Sequence, residues 1–425
     1  MGYHTHRNQA KLRMQLKTIL NRIERHKSFV YGDSRFNDAG EIEISVEPRA
    51  NGRPLCSGCK RPAPRYDRLQ PRRFEFVPLW GLAVYLVYAM RRVECADCGV
   101  KVESVPWADG KCSMTNSYRW FLAGWARRLS WQETARIFRT SWNSVFRAVE
   151  HAVSWGLAHR DTRDLTAIGV DEVSWQRGAS YLTVVYQIDA GVKRLLWVGR
   201  DRTTDTLSRF FALFQKDLEN LQFVVSDMWK PYVKAIRLAT SALNVLDRFH
   251  IAKQMNLAID NIRADEARRM AADGYEPVLK HARWCLLKRP ENLTDSQTVK
   301  LSELMRYNLR TMRAYLLKDD FQRFWDYKLP GCARRFLREW CTRAMRSRIK
   351  QMQAMARTLR RREDLLMNWF HAKGTISAGI VEGLNNKLKL TTRKGYGFRT
   401  YKAVETALYH QLGALPQPEN THRFC

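Results

Sequence analysis

Between residues 165 and 250, short apolar runs and helical patterns alternate in an order that few folds accept. Ala167–Ser174, Tyr181–Asp189 and Arg194–Gly199 are β-branched and apolar enough to be strands. Thr203–Phe214 follows as a helix opened by Thr-Thr-Asp, then Phe223–Asp227 as a fourth strand. Pro231 suits the first turn of the next helix, and Asn244–Asp247 makes a fifth strand. Three meandering strands, then helix, strand, helix and strand, predict a mixed α/β sheet.

That order is RNase H-like. It sets Asp171, in AIGVDEVSW, on the first strand and Asp227, in FVVSDMWKPY, at the end of the fourth, its neighbour in such a sheet. Glu382, in AGIVEGLNNKLKL, lies on a later helix. Two strand carboxylates and one helix carboxylate can converge on a pair of divalent metals about 3.5–4 Å apart, which activate water or a 3′-hydroxyl and stabilise the leaving oxygen in phosphodiester chemistry. Glu172 faces the other side of its strand, and Asp189 and Asp201 end strands as turn caps. Asp247 begins Asp247-Arg-Phe-His250 beside the expected site, where His250 is either structural or a proton donor to the leaving oxygen.

The chain carries 73 Lys and Arg against 42 Asp and Glu, a formal charge of +31, which points to a polyanionic partner and first to nucleic acid. Apolar residues make up 45% of the sequence, too many for a disordered chain. The polar start MGYHTHRNQAKLRMQ is no signal peptide, and the apolar stretch Phe76–Met90 is shorter than the roughly 20 residues a bilayer needs. With Pro78 and Gly81 inside it, that stretch predicts buried strands. The expected compartment is a bacterial cytoplasm, with the protein at the nucleoid when on DNA and no membrane partner. In that setting the 9 cysteines are metal ligands or core residues, not disulfides.

Residues 1–49 form a basic N-terminal segment in which Leu12, Leu16, Ile19, Leu20 and Ile23 step with helical spacing, either as a DNA-contacting arm or as an amphipathic helix docked on its own protein. Residues 50–112 hold Cys56-Ser-Gly-Cys59 and Cys95-Ala-Asp-Cys98, two knuckles suited to one structural zinc. Their separation exceeds the usual ribbon spacing, so the strands between must bring them together. Cys112 is a weaker fifth candidate; Cys285, Cys332, Cys341 and Cys425 have no ligand spacing.

Residues 113–160 predict a helix-turn-helix. A helix spans Ser117–Arg128, Ser130-Trp-Gln-Glu133 is a capping box, and Ser141 caps a third helix with Trp142, Val145, Val149 and Val153 on one face. Asn143, Ser144, Arg147 and His151 point elsewhere, towards phosphates and base edges; a plain three-helix unit is the alternative. The catalytic core then occupies 161–250 and resumes at 376–415, interrupted by an all-helical insertion at 251–375, with a tail at 416–425. A long insertion is tolerable because loop closure grows costly only slowly with length. Within it, Met345, Ile349, Met352, Ala356 and Leu359 form an apolar stripe, while Arg346, Arg348, Lys350, Arg357, Arg360, Arg361 and Arg362 follow a phosphate backbone or simply face water. Past Glu382, Asn385 and Asn386 are positioned to orient a water or touch a phosphate, and Lys387, Lys389, Arg393 and Lys394 to hold DNA.

The segments VVSDMWKPYVKAI, LDRFHIAKQMNLAID and GIVEGLNNKLKLTTRKGYGFRTY together resemble the DDE transposases of the ISL-three insertion-sequence family. The resemblance covers nearly the whole chain: knuckles, helix-turn-helix, then catalytic domain. It implies an RNase H-like fold with a helical insertion, and Asp171, Asp227 and Glu382 as catalytic residues holding two magnesium or manganese ions. Asp247 and His250 match the Cys-or-Asp-x-x-His element of related transposases, which adds His250 to the catalytic set. The N-terminal modules would bind terminal inverted repeats. Cleavage would release a 3′-hydroxyl that attacks target DNA, with a homo-oligomer joining two ends. A transposase-derived regulator that does not cut, and an RNase H-type nuclease without strand transfer, are the other readings.

Overall fold

The structure is a computed structural model that describes residues 15–176, 180–275, 278–372 and 379–419. The start of the expected N-terminal helix with Leu12, the junction between insertion and final core segment at 373–378, and Cys425 lie outside the described residues. Contacts divide the chain into two compact units. The first runs to Arg160 and includes Lys394–Gln411 and the stretch from Leu415; the second holds Asp161–Arg393 and Leu412–Ala414.

The first unit opens with helix α1 (Leu16–Ile23) and the strands β1 (Phe29–Phe36), β2 (Ile42–Pro48), β3 (Leu55–Cys56), β4 (Arg65–Leu79), β5 (Leu82–Cys95) and β6 (Gly99–Ser104). They form one sheet in the order β1-β2-β5-β6-β3, with β4 also paired to β5. The apolar stretch Phe76–Met90 is therefore the closed end of a long hairpin. It turns at Trp80-Gly81, where φ is 49° and 85°, the positive pair that matches strand twist in a two-residue turn. On β5, Val84, Leu86, Tyr88 and Met90 are buried at alternate positions, packing with Phe29, Ile44 and Phe74 around Trp107. Glu103 is buried there with Arg91, accepting from its Nε at 2.9 Å.

Helices α2 (Asn116–Arg128), α3 (Trp131–Ile137) and α4 (Trp142–His159) follow. Each start is capped by a hydroxyl: Thr115 accepts from the Tyr118 N–H, Ser130 and Glu133 form a full capping box, and Ser141 accepts from the Ser144 N–H. Val145, Val149 and Val153 are buried as the sequence periodicity predicts, but Trp142 stays 39% exposed and stacks on Phe146.

The second unit contains β7 (Ala167–Ser174), β8 (Tyr181–Gln187), β9 (Arg194–Arg200), α5 (Thr204–Leu213), β10 (Phe223–Ser226), α6 (Lys230–Ala239) and β11 (Leu243–Leu246). Their sheet order is β11-β10-β7-β8-β9, antiparallel among β7, β8 and β9 and parallel from β7 outwards through β10 to β11. Val225 pairs with Gly169, so continuing that register by two residues brings Asp227 level with Asp171. The helices α7 (Arg248–Ala272), α8 (Arg283–Leu287), α9 (Asp295–Met305), α10 (Arg310–Gln322), α11 (Pro330–Arg346), α12 (Lys350–Arg360) and α13 (Glu363–His371) share a core around Trp340, Phe324 and Met352. Met228, in the turn after β10, and Leu246 of β11 belong to the same core.

Two details depart from the sequence reading of the insertion. Helix α7 begins at Arg248, because the Asp247 carboxylate accepts the Phe249 N–H at 2.8 Å and caps it; His250 is thus helical. The stripe from Met345 to Leu359 is broken by a turn at Arg348, φ 59°, which separates α11 from α12 although Ile349, Met352, Ala356 and Leu359 remain buried.

Helix α14 (Gly379–Lys394) returns across the sheet face: a Cβ on Gly169 would stand 2.5 Å from Val381 Cγ2, so only glycine admits this approach. Helix α15 (Tyr401–Leu412) does not stay with the second unit's sheet as residues 376–415 were expected to; Lys394–Gln411 packs in the first unit, where Gln411 Nε2 donates to the Arg127 carbonyl at 3.0 Å. No helix among the described residues is long and apolar enough to cross a membrane.

Candidate active site

Asp171 is 6% exposed near the centre of the second unit's sheet. Burial pushes its carboxyl up to about 6, and Asp227 adds to the rise. His250, on the first turn of α7, stands between the two acids: Nε2 is 4.0 Å from Asp171 Oδ1 and Nδ1 is 3.8 Å from Asp227 Oδ2. Its interaction with Asp227, reinforced by Asp171 and Asp247, raises the imidazole above its ordinary range against the opposing effect of burial. The Asp227 carboxylate is itself oriented by the Trp229 N–H at 2.9 Å.

Asn385, one turn past Glu382 on α14, has both ends of its amide occupied. Nδ2 donates to Asp171 Oδ2, and Oδ1 accepts from the Tyr186 hydroxyl at 2.9 Å. At 7% exposure it is a side chain that fixes α14 against Asp171, whereas the sequence reading gave it to DNA. Glu382 is exposed on the same helix, and its charge helps to raise the Asp247 carboxyl. Among the described residues, only four cysteines bring three or more ligand atoms within 4.8 Å of one another, so Glu382 does not close on Asp171 and Asp227 in this conformation. Like-charged carboxylates repel, and the repulsion is relieved by a proton on one of them or by a cation between them. A hard divalent cation with oxygen ligands suits this donor set.

The competing acids have other partners. Glu172 faces away and pairs with Arg202 at 2.9 Å. Asp189 caps the strand start, accepting the Ala167 N–H at 2.8 Å.

In the first unit, the Sγ atoms of Cys56, Cys59, Cys95 and Cys98 all lie within 4.8 Å of one another. The long gap between the knuckles is the β4–β5 hairpin going out and back. Gly58 leaves room for this packing, since a Cβ there would sit 2.9 Å from Cys98 Sγ. The Arg61 backbone N–H, then its guanidinium, bring the Cys59 thiol down to about 6, the thiolate form that zinc takes. Four converging thiols with one already biased towards thiolate fit a tetrahedral metal, and Cys112 is outside the group.

Of the expected DNA contacts, Asn143 and Arg147 are exposed on α4, while Ser144 is tied to Ser141 Oγ at 2.9 Å. His151 is half-buried, its ring 5.8 Å from that of Trp120, and burial lowers it to about 4. Asn386, Lys387, Lys389 and Arg393 are exposed; the Lys394 ammonium donates to the Arg127 carbonyl at 2.9 Å. Sequence reasoning missed Tyr186. The available signal was its place opposite Gly169 on the neighbouring strand, a bulky hydroxyl facing a gap.

Residues 168–408, more than half of the chain, match the family of DDE transposases of the ISL3 type, described as transposase. The chain is 28% identical over 364 residues to the transposase for insertion sequence element IS1001 of Bordetella parapertussis, covering 84% of this chain and 88% of that one. It is 29% identical over 445 residues to the transposase for insertion sequence element IS1557 of Mycobacterium tuberculosis, covering 97% of each. Among solved structures, the Drosophila P element transposase strand transfer complex matches with a TM-score of 0.41 and 10% identity over 71% of this chain and 92% of that one, too distant to argue from.

Proposed function

The chain belongs to the ISL-three (ISL3) family of DDE transposases, and from that premise we propose that it cuts DNA at the ends of an insertion sequence and joins them to target DNA. The observation that carries this reading is His250 held between Asp171 and Asp227 at 4.0 and 3.8 Å, beside the helix that bears Glu382. The strand order β11-β10-β7-β8-β9 supports an RNase H-like catalytic domain interrupted by the helical insertion. The four-cysteine cluster supports a structural zinc in the N-terminal module, and the three capped helices α2–α4 support a helix-turn-helix. Together these two modules bind the terminal inverted repeats.

Asp171, Asp227 and Glu382 would hold two divalent cations, magnesium or manganese, which supply Lewis acidity and a nucleophile at neutral pH. The chain's own residues do the rest. Asn385 and Tyr186 hold Asp171 and α14 in register. His250, whose charged form the neighbouring acids favour, gives its proton to the 3′-oxygen as the bond from phosphorus to that oxygen breaks and the attacking water, losing a proton to solvent, bonds to phosphorus through its oxygen. The freed 3′-hydroxyl then attacks a target phosphodiester, displacing its 3′-oxygen, with no covalent link to the protein. Lys387, Lys389 and Arg393 line the approach of the strand. Joining two ends calls for at least two protomers.

The test is incubation with DNA carrying the element's flanking repeats and magnesium or manganese. Nicking at the repeat boundary followed by joined products supports transposition. Tight binding without cutting supports the regulator instead, and cutting without joining supports the nuclease.

A further inference from the structure

Arg362 stands apart from the other arginines of the insertion. Arg346, Arg348, Arg357, Arg360 and Arg361 are exposed, whereas Arg362 is partly buried at the junction of α12 and α13. That junction is pinned to the catalytic sheet. Asn368 Nδ2 of α13 donates to the Asn244 carbonyl of β11 at 2.8 Å, and Leu366, Met367 and Phe370 share a core with Met228 and Leu246. Arg362 itself donates to the carbonyl of Met228, the residue after Asp227, at 2.8 Å. A guanidinium has five N–H donors in a planar fork. Among the described residues this one hydrogen bond is the only direct partner of Arg362, and no carboxylate pairs with it.

A half-buried cation without a carboxylate in direct contact is costly unless a ligand supplies an anion. Asp227 is close enough to help keep Arg362 charged, while burial opposes the charge. Beside acids that would hold divalent cations, a fixed guanidinium adds an attraction for the phosphodiester in the geometry that phosphate oxygens accept.

We propose that Arg362 binds the phosphodiester at the catalytic acids, so that the helical insertion contributes a substrate contact to the reaction centre. This rests on the proposed function. It assigns the insertion a chemical part: the α12–α13 corner carries one guanidinium to the Asp227 turn and holds it there through Asn368 and the shared core. The neighbouring exposed arginines serve at most in general attraction of DNA.

The test compares Arg362→Ala, Arg362→Lys and Arg361→Ala in the full chain, on repeat-bearing DNA with manganese. Cleavage rate at saturating DNA, affinity for the same DNA, and thermal unfolding are measured together. Arg362→Ala is expected to slow cutting about 100-fold, the order of loss on removing one transition-state donor, with affinity within threefold. Arg362→Lys keeps the charge but not the fork and falls between. Added methylguanidine restores part of the Arg362→Ala rate, a rescue that a purely structural tie to Met228 does not give. Arg361→Ala cuts normally. Cutting by Arg362→Ala within threefold of wild type overturns the proposal, as does a slow but folded variant that guanidine does not rescue. If wild type does not cut, or Asp227→Ala still cuts, the underlying function fails and takes this proposal with it.

Discussion

Replacing Gly169 by alanine tests how closely α14 must sit on the second unit's sheet for the proposed activity. The added methyl stands 2.5 Å from Val381 Cγ2. Carbon atoms in contact settle at about 3.5–4.0 Å, so either Val381 moves or α14 retreats by roughly 1 Å. Val381 is 3% exposed. Retreat of the helix draws Asn385 away from Asp171 and Glu382 away from the acid pair. The overpacking costs about 1–3 kcal/mol of stability. A displacement of that size costs about 100-fold in rate. The assay is single-turnover cleavage of repeat-bearing DNA alongside thermal unfolding and DNA binding. Gly169→Ala should cut about 100-fold more slowly, remain folded, and bind repeats as wild type does. Adding Val381→Ala removes the clashing methyl and should recover most of the rate, a coupling that only neighbouring residues show. If Gly169→Ala cuts within threefold of wild type, or the folded double variant stays as slow as the single one, the helix is not what positions the site.

Other expectations follow from the first unit. Cys56→Ser should release zinc and unfold the hairpin sheet, because structural zinc binding is coupled to folding; a zinc-free module with native thermal stability refutes the assignment. Glu103→Ala should destabilise the same sheet by about 3–5 kcal/mol, since it strands the buried Arg91 guanidinium; a loss under 1 kcal/mol in urea unfolding argues against the pair. His26 and His410 are 6% and 5% exposed, and burial holds them down to about 4 and about 3. The folded state therefore binds fewer protons than the unfolded one. Stability from these groups is full above the ordinary histidine value and falls as the pH drops below it. Each should lose about 2–3 kcal/mol between pH 7.5 and 4.5, offset in part by Glu75 and Glu405, whose carboxyls burial raises. Stability of this unit that stays level over that range contradicts the assignment.

The sequence made much of the second unit's sheet legible because its strands are short, apolar and bounded by caps. The bounds of β7 coincide with the expected Ala167–Ser174, and Thr203, Ser130 and Ser141 cap where their hydroxyls predicted. The knuckles could be read because thiolate pairs at that spacing have few other uses. What escaped depends on contacts remote in sequence. Asn385 was read as lying on or near the face of Glu382, there to orient a water or touch a phosphate, but three residues turn a helix by about 300°, enough to bury one side chain while its neighbour stays exposed. Its partner Tyr186 lies 199 residues earlier. The assignment of α15 to the first unit depends on Gln411 meeting Arg127, and nothing local to either residue announces that pairing. Arg362 was indistinguishable from its neighbours because burial, not composition, separates it from them.

The most direct measurement is strand cleavage by wild type, Asp171→Ala, Asp227→Ala and Glu382→Ala on DNA bearing the flanking repeats, with magnesium or manganese and with DNA binding measured on the same samples. The account predicts cutting and joining by wild type, and loss of both in all three variants while binding of the repeats persists. Continued cutting by Glu382→Ala would remove that residue from the site and contradict the three-acid centre; loss of binding in step with cutting would contradict the separation of catalysis from end recognition.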